Sequence, residues 1–135
     1  MSDAGSIAAI LARLQRLEDL QAIHQLFVDY GRHLDQGNWA DYASLFADDG
    51  EVLLGPMGRA QGPDNIRALM EGLLGDKVGE TIHIISSPAV VLDGDTASSE
   101  VMWSVLHRMP DGSPQLTSCG RHKDLLVRQR GEWKF

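Results

Sequence analysis

The chain has a single cysteine, Cys119. That excludes an internal disulfide and any cysteine-built metal site, and makes a reducing cytoplasm the expected setting. Basic residues are also few: 12 Lys and Arg against 19 Asp and Glu leave a formal net charge of -7. Nucleic acid is therefore not an expected partner, because its phosphates need clustered Lys and Arg. Five of the twelve basic residues (Arg121, Lys123, Arg128, Arg130 and Lys134) fall in the last fifteen positions. They interleave with Leu125, Leu126 and Val127 and read as the wet side of a strand. No long apolar run occurs. The opening MSDAGS has no basic leader, and Arg13, Gln15, Arg16, Glu18 and Asp19 interrupt the apolar residues that follow. Neither a signal peptide nor a membrane span is expected.

The common chemical signatures are missing too. There is no GxGxxG, no GxxxxGKS/T phosphate loop and no GxSxG elbow. Asp35, His83, His107 and His122 are the side chains that could hold a metal, but neither HxH nor HExxH is present. No metal and no cofactor are expected.

What is present suits one compact domain over residues 1–135, with 43% hydrophobic and 23% charged residues. From Ser6, a plausible N-cap, apolar residues recur at steps of three and four from Ile7 to Leu34, the helix period. The stretch reads as one long helix or as two with a bend near Glu18-Asp19, and Gly37 is a natural stop. Asn38 is placed to cap a second helix with an aromatic face of Trp39, Tyr42, Leu45 and Phe46, ending at Asp48-Asp49-Gly50. Glu51 to Leu54 and Arg59 to Gln61 suggest a small hairpin. Gly62-Pro63-Asp64 opens a third helix with Ile66, Leu69, Met70, Leu73 and Leu74 on one face. Beyond Glu80 the period becomes two. Strands are expected over 81–86, 89–92, 96–109, 116–130 and 132–135, with a tight turn at Asp93-Gly94. Helices followed by long antiparallel strands define an α+β class. Polar residues on both faces of the long strands point to a curved sheet around a partly polar cavity.

Asp35 is out of place. It falls at the C-terminal end of a helix, where the dipole disfavours a carboxylate by ~0.3–1 kcal/mol. Gly31, one turn earlier on the same face, costs about 1 kcal/mol of helix propensity. Something approaches closely there, either a packed strand or a ligand. His83, in THIIS, shares a strand face with Thr81 and Ile85. It is a satisfied core residue or, with a carboxylate on one ring nitrogen, a base. His107 shares a face with Trp103, Val105 and Met109, and His122 and Asp124 share one with Leu126. Tyr30 lies about 140° round the helix from Asp35 and cannot stack over it, though its ring is long enough to reach the same cavity.

The stretches LEDLQAIHQLFVDYGRHLDQGNWADYASLFADDGEV, GRAQGPDNIRALM, ETIHIIS, DTASSEVMWSV and GRHKDLLVRQRGEWKF carry a resemblance along nearly the whole chain. The sequence resembles the SnoaL-like branch of the nuclear transport factor 2-like superfamily. Its pattern is nearest to the dehydratase-like enzymes: scytalone dehydratase, bile-acid 7α-dehydratase and hexachlorocyclohexane dehydrochlorinase. The resemblance implies a cone-shaped, strongly curved antiparallel sheet (an open α+β barrel) closed by the N-terminal helices around a pocket. It implies an acid/base pair, with His83 taking the substrate proton and Asp35 orienting the imidazole. Tyr30 and His107 become candidates for assisting the leaving group. Phe27, Trp39, Val52, Leu54 and Val105, with His122 and Asp124, become candidates for binding a small or polycyclic apolar substrate. His122 stands where many members have Tyr, and relatives usually continue beyond the position of Phe135. The pocket is then expected to be open there, or closed by a neighbouring subunit of a dimer or trimer. The expected activity is a lyase, an isomerase or a polyketide cyclase. The same fold also includes non-catalytic members, such as the small subunits of aromatic-ring dioxygenases.

Overall fold

A computed structural model describes residues 3–135. The first element, α1, is a single helix from Asp3 to Gln36, so no break occurs near Glu18-Asp19. At 1.5 Å per residue it is about 50 Å long. Its end follows from Gly37, whose φ of +71° no side chain adopts cheaply. The Asn38 N–H donates to the His33 carbonyl at 2.9 Å and the Gly37 N–H to that of Leu34 at 3.4 Å. These two bonds make a Schellman motif.

The short helix α2 runs only from Trp39 to Ala43. The sequence predicts a helix ending at Asp48-Asp49-Gly50 and capped by Asn38. Instead the Asn38 amide donates to Gln36, and no side chain caps α2. The helix stops early because the far end of the chain claims its next backbone groups. Phe135 N–H donates to the Leu45 carbonyl, and the Ala47 N–H donates to the Phe135 carbonyl.

Two short strands follow, β1 (Glu51–Leu53) and β2 (Arg59–Gln61), paired antiparallel as expected. Then α3 spans Pro63–Leu74, with Pro63 in its first turn and Ile66 and Met70 buried. The main sheet has four antiparallel strands in the order β3 (Thr81–Asp93), β4 (Thr96–Arg108), β5 (Pro114–Gln129) and β6 (Glu132–Lys134). The sequence predicts two strands, 81–86 and 89–92, but β3 is one strand with a bulge between Ser86 and Ala89. Pro88 has no N–H for a ladder, and an edge strand tolerates that at a bulge. Ser87 takes up the irregularity at φ 53°. The β5–β6 connection turns through Arg130 and Gly131, both at positive φ, the two-residue hairpin geometry. The sheet is curved and does not close into a barrel. The class is α+β.

Register assigns the faces. His83 lies opposite Val105, Ile85 opposite Trp103, Val101 opposite His122 and Ser99 opposite Asp124. These residues share the concave face, over which α1 packs. At one end of that face Ala97, Ser99, Val101 and Leu126 are buried. Towards the other end Val105, Trp103 and His122 are only partly covered. Phe27, Tyr30, Tyr42, Phe46 and Phe135 form an aromatic cluster between α1, α2 and the chain end, with ring centroids 5.1–5.8 Å apart.

Two basic residues of the C-terminal stretch do not lie on a wet face: Lys134 donates to the Ser44 carbonyl at 2.6 Å, and Arg128 is held by two carboxylates. Arg128 makes two parallel bonds of 3.0 Å to Asp19 and a third of 2.8 Å to Asp95, with its guanidinium 4.7 Å over the Trp133 ring. The planar fork of arginine matches a carboxylate, so pairing competes successfully with hydration here.

Candidate functional site

Asp35 sits one residue before the end of α1, and His83 is the third residue of β3. A single oxygen of Asp35, Oδ1, accepts two hydrogen bonds. The backbone N–H of His83 donates at 2.8 Å, and the ring nitrogen Nδ1 lies at 2.8 Å. A carboxylate can only accept, so Nδ1 carries a proton and Nε2 presents its lone pair when the ring is neutral. The His83 side chain is 13% exposed and that of Asp35 24%.

Gly31 is what lets the two elements meet. A Cβ there would lie 3.1 Å from the His83 carbonyl oxygen and 3.6 Å from Ile85. The close neighbour of Gly31 is therefore strand β3. Beside the pair lies an open depression of about 280 Å³, lined by Phe27, Val28, Gly31, Arg32, Asp35 and His83 with Ile84 and Ile85. Val28, Arg32 and Ile84 had no sequence signal of a site. Each points to the outer side of its element, where a polar–apolar mixture is ordinary.

The other expected residues fall elsewhere. Phe27 lines the depression, and Val105 faces His83 across the β3–β4 ladder. Trp39 and Val52 are buried in the core, and Leu54 packs against it. His107 shares the concave face with His83 but turns its Nε2 towards Glu80, at 3.6 Å. It lines a second depression of about 210 Å³ with Gly79, Glu80, Arg108 and Pro114.

Tyr30, His122 and Asp124 belong to a deeper group. The Tyr30 ring meets His122 edge-on at 5.9 Å, and Trp103 lies 5.8 Å from His122. Burial pushes the Tyr30 hydroxyl up to about 12 and lowers the pKa of His122. Burial also raises the Asp124 carboxyl to about 6, and the Tyr42 hydroxyl rises well above 10 for the same leading reason. Asp124 Oδ2 and Ser99 Oγ are buried with no hydrogen-bond partner, whereas the Tyr42 hydroxyl is within reach of that of Tyr30. Tyr42 and Ser99 were not expected in this group. Tyr42 looked like plain helix packing, and Ser99 becomes visible only through its register with Asp124. Among the described residues no group of three or more His, Cys, Asp or Glu is placed to hold a metal ion. None of their helices is long and apolar enough to cross a membrane.

Helices packed over a curved, open antiparallel sheet place the molecule among the nuclear transport factor 2-like α+β folds. The family model of the SnoaL-like domain matches residues 15–135, and the chain belongs to that family. Solved structures agree. An NTF2-like protein with a cystatin-like fold from Novosphingobium aromaticivorans is 26% identical, with a TM-score of 0.84 over 99% of this chain and 86% of that one. A scytalone dehydratase-like protein from the same organism is 28% identical, with a TM-score of 0.76 over 89% of this chain and 80% of that one. LinA is 25% identical, with a TM-score of 0.81 over 91% and 84%. Its type 2 form is a hexachlorocyclohexane dehydrochlorinase. No curated protein matches the chain significantly.

Proposed function

We propose that the protein is a cofactor-independent acid/base enzyme of the lyase type, working by β-elimination on a small, largely apolar substrate. The observation that carries this reading is the Asp35–His83 contact of 2.8 Å at the edge of an open depression. The carboxylate holds Nδ1–H, so Nε2 is the base that accepts a proton from a carbon next to an activating carbonyl or halide. The released electron pair forms the new double bond as hydroxide or halide leaves. Departing hydroxide takes a proton and becomes water. Tyr30 is the candidate donor for that step, a phenol that carries its proton across the neutral range. It lies five residues earlier on α1, about 7.5 Å along the axis, facing His122 inside the cone. The likeness to a scytalone dehydratase-like protein and to LinA supports an elimination over other acid/base reactions.

The test needs no prior substrate. β-Hydroxyketones of increasing size are incubated with the protein in D₂O, and loss of water and deuterium uptake at the acidic carbon are followed by NMR. Wild type is expected to accelerate both. If His83→Ala and Asp35→Asn retain the wild-type rates, the pair is not the base.

A second reading is a non-catalytic ligand-binding or oligomerisation module, such as the small subunit of an aromatic-ring dioxygenase. One observation favours it: Asp35 also accepts from the backbone N–H of His83 and so ties α1 to β3 with or without chemistry. Failure of every substrate, with both variants destabilised alike, selects this reading.

A further inference from the structure

The concave face carries one large side chain that neither the core nor the acid/base pair uses. Trp103 is half-buried, yet it belongs neither to the hydrophobic core nor to the residues packed against it. The other two tryptophans, Trp39 and Trp133, are buried in that core. In the ladders Trp103 lies opposite Ile85 on one side and Gly120 on the other. Gly120 decides how the indole lies. A Cβ there would fall 3.0–3.1 Å from three adjacent ring atoms, Cζ2, Cε2 and Nε1. Nearly equal distances to three neighbouring atoms put the face of the ring, not its edge, on the backbone of β5. Any other residue would push the indole away, although a strand otherwise disfavours glycine.

With one face on Gly120, the area that the indole leaves uncovered belongs to its other face and its rim. That second face is turned into the cone. His122 flanks it with ring centroids 5.8 Å apart, and Tyr30 stands beyond His122 at 5.9 Å. His83 is a diagonal neighbour of Trp103 on the adjacent strand, a separation of about 7–8 Å. A fused bicyclic ring, or one ring with a short side chain, spans that distance. An indole that only covers a strand glycine needs one face for the purpose. Here the other remains, beside the base. An indole face attracts a second ring in offset-stacked geometry, beyond what burial of area alone supplies.

We propose that Trp103, seated on Gly120, is a stacking platform that binds a planar aromatic or conjugated ring of the ligand and selects it over a saturated ring of the same size. That the stacked ring belongs to a substrate rests on the elimination proposed above; the platform itself needs no chemistry.

The test is calorimetric titration of the full chain with two alcohols of matched skeleton, 2-naphthol and trans-decahydro-2-naphthol. Neither carries an activated proton beside a leaving group, so binding is read without turnover. The saturated alcohol has more apolar surface, and burial alone favours it. Wild type is expected to bind 2-naphthol at least about fivefold more tightly than the saturated alcohol, with the naphthol ring protons moved upfield in the NMR spectrum. Trp103→Leu is expected to abolish the preference and the upfield shift while the saturated alcohol still binds. Trp103→Phe is expected to keep part of both. Gly120→Ala, which drives the indole off β5, is expected to reduce both, with the fold of each variant checked by circular dichroism. If Trp103→Leu does not fold, Trp103→Phe and Gly120→Ala decide. Equal affinities in wild type, binding of neither alcohol, or a preference indifferent to Trp103→Leu and Gly120→Ala overturns the platform. A preference that stands while no β-hydroxyketone loses water supports the platform and removes the elimination. Elimination without the preference does the reverse.

Discussion

Two carboxylates on one helix, Asp19 and Asp35, are used in opposite ways. Asp19 is saturated. Arg128 donates twice, Trp133 Nε1 once at 3.2 Å and Gln15 once at 3.0 Å, and the arginine holds the Asp19 carboxyl below the usual range. Asp35 has one partner residue and spends both bonds on one oxygen, beside an open depression. The difference separates a carboxylate that secures the fold from one that leaves a neighbouring base available. A saturated pair has no capacity left for a substrate, whereas a carboxylate bound only to a histidine passes its effect to the free ring nitrogen.

The sharpest way to break that comparison is to exchange the consequences. On the proposed mechanism, His83→Ala should lower the elimination rate by about 10²–10⁴-fold, with Asp35→Asn nearly as severe, read as kcat on the best substrate of the NMR screen. Stability should fall far less than the rate. Arg128→Leu should do the reverse. It leaves the Asp19 carboxylate with only Gln15 and Trp133 and should cost about 1.5–3 kcal/mol in urea unfolding, with kcat per folded molecule retained. Equal losses of rate and stability in both variants would erase the distinction.

Asp124 sharpens it from a third side, as a carboxyl with no partner for Oδ2. Its folded-state pKa lies above its unfolded value, so the native state binds more protons. Its contribution favours folding at low pH and is lost as pH rises from about 4 through about 6. Asp124→Asn should therefore stabilise the protein by about 3 kcal/mol at pH 7.5 and hardly at all at pH 4. Denaturant midpoints at the two pH values measure this, and a gain at pH 4 would contradict it. The smallest expected effect is at Gly31. Gly31→Ala gains helix propensity but sets a methyl 3.1 Å from the His83 carbonyl. Stability should change by less than about 1 kcal/mol, while the displaced His83 should cut the rate. An unchanged rate would mean that the Asp35–His83 geometry tolerates the shift.

Much of the fold was legible because it rests on local rules. The period of α1, the stop at Gly37 and the switch to strands after Glu80 all depend on residues a few positions apart, as does the β3–β4 hairpin, whose turn is Gly94-Asp95, one residue beyond the expected Asp93-Gly94. The misread elements depend on distant ones. The end of α2 is set by Phe135, some ninety residues on, and the Asp19–Arg128–Trp133 group joins the two ends of the chain. A charged residue among apolar ones reads as solvated unless its partner is known. At the site, the strand assignment put His83 on the face of Thr81 and Ile85, and helix polarity made Asp35 anomalous. Their partnership came from resemblance to a family and not from any spacing.

By itself, then, the sequence determined most of the elements, though not the end of α2 or the unity of β3, together with the α+β class and the oddity of a carboxylate and a glycine near the end of α1. Those follow from short-range sterics, periodicity and the helix dipole. Only the tertiary structure decided that Gly31 makes room for β3, that both hydrogen bonds of Asp35 fall on one oxygen, and that Asp124 and Ser99 face each other without partners. Those are distances between residues far apart in the chain, and they are set by how the sheet curves beneath the helix.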